Sequence, residues 1–179
     1  MSTDLPGDLP RAVGPAVHNV ALAALLGGNL FGRFAMNPAL EDISDKAERG
    51  KVLNRAWGRY GAVNSLALVA LVGGWLPTRL DVARSPALSP RERRLTWAKD
   101  VAIGAVVVTG VASAASGVGF SHQVEGGAVP MESGSVTAPE TPPRAARLKR
   151  VLNVLGALNL ASELALAVIN AWLAQAVSR

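Results

Sequence analysis

The chain has 179 residues, half of them apolar and only 17% charged, with a formal net charge of +5. With no cysteine, disulfides, thiolate metal sites and cysteine nucleophiles are excluded. The charges fall in blocks between long uncharged stretches, a pattern that argues against a soluble domain, where charge is spread along amphipathic faces.

A bilayer core of ~30 Å takes about 20 helical residues. Four stretches meet that length, so residues 1–179 read as one all-α membrane domain, an integral four-helix bundle with both termini on one face. The first span runs over about 12–35. Asp4 and Asp8 precede Arg11, unlike the positive start of a secretory signal, so this stretch is expected to be retained. Asn37-Pro38 offers a cap followed by a first-turn proline. Asp42 with Lys46 and Asp45 with Arg49 have acid-before-base spacing, which predicts a short surface helix over 38–49, with Gly50 kinking the chain after it.

The second span, about 57–76, is bounded by Trp57 and Trp75, 18 residues and roughly 27 Å of helix apart. Arg59, near its start, is long enough to reach the interface. Trp97 enters the third span, about 97–120, on the face where Trp75 leaves the second, and Trp172 leaves the fourth there too. All four tryptophans are expected as interfacial anchors. In "SPRERR", Ser89 and Glu92 form a capping-box pattern around Pro90, placing the start of the third helix near Pro90. Residues 119–143 are rich in Gly, Ser, Pro and Thr and read as a flexible loop. Thr141 then caps a long helix carrying the fourth span, about 151–177.

The arginine and lysine clusters beside the spans, Arg91, Arg93 and Arg94 on one face and Arg147, Lys149 and Arg150 on the other, are expected to contact lipid headgroups. The bilayer is the expected partner, with a membrane-protein partner or a second copy beside it and no nucleic acid. Basic residues number eight on the face of the termini and ten on the other, so the positive-inside rule sets no orientation. Small residues that let helices approach recur in every span: Gly28 and Gly32, Gly73-Gly74, Ala112 with Ser116, and Gly156.

The conspicuous exception to an apolar interior is Glu163, near the centre of the fourth span. Gly156, Asn159, Glu163, Ala167 and Asn170 share one helical face. A charge at bilayer centre costs at least ~2.5 kcal/mol, so Glu163 must turn inward and either accept hydrogen bonds or remain neutral. Matching depth across the spans gives Asn64, Ser65 and Asn29 as its expected partners, with His18, Asn19, Thr109 and Ser113 as further polar groups. The first reading is a buried polar network that fixes helix register. The alternative is an intramembrane site for an ion, proton or small solute.

No other constellation carries chemistry. His18 opens the first span and His122 follows the third, a membrane thickness apart, which argues against a bis-histidine haem; His18 reads as an interfacial residue. "GGNLFG" and "GVGF" lack the Lys-Ser/Thr of a phosphate loop, and no nucleophile–base–acid set converges. No catalytic residue, metal or cofactor is therefore expected. The run "GGNLFGRFAMNPALEDISDKAERGKVLNRAWGRYGAVNS", Gly27 to Ser65, resembles stretches of uncharacterised small multi-span membrane proteins of actinobacteria. The resemblance implies a bacterial plasma-membrane location and no activity. The expected function is a non-enzymatic membrane protein, a structural or accessory subunit of an assembly, with a small transporter or proton-linked carrier as the alternative.

Overall fold

A computed structural model describes residues 9–84 and 89–177, with side chains over 13–84 and 89–175. Arg11 and Arg179, both part of the charge count, lie outside the residues whose side chains are described. Four long helices dominate: α1 (Leu9–Phe31), α2 (Lys46–Arg84), α3 (Pro90–Ser121) and α4 (Pro143–Val177). All four are long and apolar enough to cross a membrane. Among the described residues there is no strand, only one isolated bridge between Met131 and Thr137, and the fold is an all-α four-helix bundle.

Antiparallel α1 and α2 pack along their length, as do α3 and α4, and the two hairpins meet through α1 with α4 and α2 with α3. The α1–α2 seam is set by glycines. A Cβ on Gly74 would come within 2.6 Å of the Gly14 carbonyl oxygen and the His18 nitrogen, so only glycine lets these backbones touch. Further along, Gly28 and Gly32 make room for rings, not for a backbone: Tyr60 lies over Gly28 and Trp57 over Gly32. The Tyr60 hydroxyl donates to the Ala24 carbonyl at 2.6 Å. Gly73 and Gly156 meet no atom that a Cβ would touch, so neither serves a packed interface within the chain.

The connection after α1 departs from the expected surface helix. The chain stays helical through a π turn (Gly32–Met36), a short α turn (Asn37–Ala39) and a 3₁₀ turn (Leu40–Asp42), then bends before α2. Asn37 therefore caps nothing; its backbone is already helical. The π turn lies just ahead of Pro38, whose ring would clash with the carbonyl four residues back in a regular helix. The real cap of α2 is Asp45, which accepts from the Ala47 and Glu48 nitrogens at 2.8 and 2.9 Å. Gly50 lies within α2, where no kink is needed. Ser89, by contrast, forms the anticipated capping box with Glu92 at the start of α3.

The expected loop 119–143 is narrower in the structure, because α3 runs on to Ser121 and α4 begins at Pro143; residues 122–142 between them are irregular apart from one 3₁₀ turn (Glu125–Gly127), but they do not stand free of the bundle. They fold down over the end of α1 and the start of α2 as a cap with its own apolar core of Leu40, Leu53, Phe120, Val129, Met131 and Ala145. The Met131 nitrogen donates to the Lys46 carbonyl, and the Gly134 nitrogen to the Asn37 carbonyl, both at 3.0 Å. Lys46 pairs with Glu132 at 2.6 Å instead of with Asp42. Arg49 turns from Asp45 to the carbonyls of Ile43, Glu41 and Glu132. The backbone of Val129 presses so closely on Gly50 that a Cβ there would overlap its carbonyl. Thr141 does not cap α4; its hydroxyl pins the cap by donating to the Pro130 carbonyl at 2.5 Å. Non-local carbonyl partners of this kind leave no periodic trace in a sequence.

Candidate functional site

The polar face of α4 is turned into the bundle. Glu163 is fully buried and Asn159 nearly so. Asn29 of α1 reaches across, its Nδ2 donating to Glu163 Oε1 and to Asn159 Oδ1, each at 2.8 Å. One amide group thus uses both hydrogens on α4. Asn159 passes the connection to α3, donating to Thr109 Oγ1 at 2.8 Å and to the Val106 carbonyl at 3.0 Å. Thr109 in turn donates to the Ala105 carbonyl one turn back. Gly110 lies beside this bond: a Cβ there would be in ordinary contact with Asn159 Nδ2, at 3.8 Å, and would press on Leu68 at 3.2 Å. The network therefore joins three helices drawn from both hairpins. Within this network, Glu163 Oε2 is left buried with no hydrogen-bond partner.

Of the three expected partners of Glu163, the structure brings only Asn29 to it. Ser65 is exposed on the outer face of α2. Asn64 is half-buried, with no side-chain hydrogen bond among the described residues. Asn170 belongs to a different level, donating to Asn19 Oδ1 at 3.1 Å.

That second level lies toward the termini, beyond an apolar cluster of buried Leu22, Leu25, Leu71, Ile103, Val106 and Leu166. Its centre is His18, which is not interfacial but 1% exposed. The Gly14–Gly74 contact pulls the His18 turn against α2, where Nδ1 lies 2.7 Å from the Leu71 carbonyl. Neither Nε2 nor Asn170 Oδ1 makes a well-formed hydrogen bond, although Asn170 lies beside the ring. Lys99 is buried with its ammonium 3.9 Å above the Trp75 ring, a favourable cation–π placement. Trp75 Nε1 donates to Asp100 at 2.8 Å, and Arg79 pairs with the same carboxylate at 2.6 Å. This cluster went unread in the sequence, although His18, Asn19, Lys99 and Asn170 share a depth once the spans are aligned.

The surface residues divide. Arg91, Arg93, Arg94, Arg147 and Arg150 are exposed, as headgroup contact requires. Lys149 is not: it is 8% exposed, under the cap, with its ammonium 5.8 Å from the Phe120 ring. Trp97, two turns into α3, and Trp172, in the last turns of α4, are exposed. Trp57 and Trp75 stand at the two ends expected of them but turn inward, onto Gly32 and onto Lys99 and Asp100.

Comparison of the chain with protein-family models, with curated proteins and with solved structures gives no match. Among the described residues no group of three or more His, Asp or Glu side chains is placed to hold a metal ion.

Proposed function

We propose that the protein is a non-enzymatic multi-pass protein of a bacterial plasma membrane, acting as a structural or accessory subunit of a larger membrane assembly. In this reading the Asn29–Asn159–Glu163 network is a register clamp between the two hairpins. What supports it is the way the network spends its polar groups: on one another and on the α3 backbone, behind an apolar cluster that separates it from the His18 level. The cap supports it as well, since it gives one face a fixed shape on which a partner can seat. The likeness of Gly27–Ser65 to actinobacterial membrane proteins favours the location.

Glu163→Gln tests the clamp. It preserves shape and the capacity to accept from Asn29, so the unfolding midpoint in detergent should stay within a few degrees of the parent. Glu163→Leu should lower it by the equivalent of ~1–3 kcal/mol, the cost of stranding one N–H of the Asn29 amide. A second reading, a proton-linked carrier, draws on two titratable groups that each bury an unpartnered atom, Glu163 at Oε2 and His18 at Nε2. Proton flux into vesicles holding the parent protein, abolished by Glu163→Gln without loss of fold, would replace the clamp with the carrier.

A further inference from the structure

Outside the polar network, the α1–α2 hairpin carries a half-open groove. It holds about 390 Å³ and is lined by Phe31, Met36, Ala56, Trp57 and Val63, with Arg59 beside them. Its floor exists because Gly28 and Gly32 carry no side chains and the rings of Tyr60 and Trp57 fill only part of the space. The volume is within the range of ligand pockets. The lining is almost wholly apolar, so in a bilayer the natural filling is hydrocarbon.

Charge decides what kind of hydrocarbon. Arg59 is exposed and, among the described residues, meets neither an acid nor any other hydrogen-bond acceptor. Arg33, in the π turn beside Gly32, is likewise exposed and unpaired among them. Both stand where α1 and α2 reach the cap, at the expected depth of lipid phosphate, and Phe31 and Phe34 are exposed around Arg33. A second copy of the chain packed symmetrically on this face would bring the same unpaired arginines to the contact. An anionic phospholipid answers both features at once, its acyl chain in the groove and its phosphate on the guanidinium.

We propose that this groove is a binding site for one acyl chain of an anionic phospholipid, with Arg59 holding the headgroup phosphate. The delipidated protein in detergent, titrated with phosphatidylglycerol and with phosphatidylcholine of identical acyl chains, tests this by native mass spectrometry. One phosphatidylglycerol should be retained about fivefold more tightly than phosphatidylcholine, and Arg59→Gln should erase that preference. Val63→Trp, at a half-exposed position, should fill the groove and expel both lipids with helix content and unfolding midpoint unchanged. Should it unfold the protein, Ala56→Leu replaces it as the filling variant. Equal retention of the two lipids, parental retention by Arg59→Gln, full competition by free glycerol phosphate, or a lipid-free dimer disrupted by Val63→Trp would each overturn the proposal. Glu163→Gln should leave lipid retention unchanged, so failure here is separable from failure of the clamp.

Discussion

Asn29 and Glu163 stand 134 residues apart in the chain and are joined by a 2.8 Å hydrogen bond in the middle of the bundle. The same Asn29 amide holds Asn159, so a single side chain of the first hairpin satisfies two acceptors of the second. Asn29→Leu should therefore cost more than an average buried polar deletion and should be coupled to its partner. In a double-mutant cycle with Glu163→Leu, read by unfolding in detergent, the coupling should be ~0.6 kcal/mol or above, up to the ~1.7 seen for the strongest interhelical pairs in membranes. Additive losses would mean that the bond does no work in holding the helices together.

Adjacent glycines on α2 offer an internal control. Gly74 meets the α1 backbone, whereas Gly73 meets nothing. Gly74→Leu should drive the hairpin apart, with loss of the folded species or a large fall in its unfolding midpoint. Gly73→Leu should leave the midpoint within a few degrees of the parent. Similar outcomes for the pair would contradict the Gly14–Gly74 contact.

The cap is held by backbone contact more than by charge. Lys46 and Glu132 are each about 40% exposed on the side chain, so Lys46→Gln should leave the unfolding midpoint nearly unchanged, with any loss smaller still at high salt. Gly50→Val places a side chain against the Val129 carbonyl. It should expose residues 119–143 to protease and speed amide exchange at Met131, while the spans remain protected.

Lys149 is a buried cation with no carboxylate in salt-bridge range among the described residues. Burying an unpaired charge is unfavourable, and the nearby Phe120 ring returns only part of that, ~0.5–2 kcal/mol. Lys149→Met, which keeps the length of the stem and removes the charge, should hold or raise the unfolding midpoint. Arg147→Gln and Arg150→Gln, on exposed neighbours, should leave it unchanged and weaken adsorption to anionic vesicles.

The spans, the capping box at Ser89 and the inward turn of Glu163 were legible because each follows from local composition or from helical period. The choice of partner was legible only in part. Asn29 follows from depth alone. Ser65 fails on rotation: Tyr60, Ala67, Leu71 and Gly74 share the inward face of α2, and Ser65 points away from it. That phase is fixed by where Gly74 meets Gly14, a contact between helices that no single-helix pattern contains. Trp57 and Trp75 show the same limit, since an aromatic at the right depth can face lipid or a glycine on its neighbour. The cap was illegible for a different reason. Its bonds run to backbone carbonyls of residues 37–50, and Gly, Ser and Pro in 119–143 give the same composition whether a loop is pinned or loose.

The cap also has a consequence for how the protein is made. Its ties run from Asn37 and Lys46 to Gly134 and Met131, and Asn153 of α4 closes it at the Ser135 carbonyl with a 2.8 Å bond. None of these ties can form while only the first hairpin has left the ribosome. A nascent chain bearing two inserted helices would present Leu40 and Leu53 bare to water, awaiting the rest. Latching is thus a late step of biogenesis, and chains truncated before α4 should be handed to quality-control proteases as unfinished.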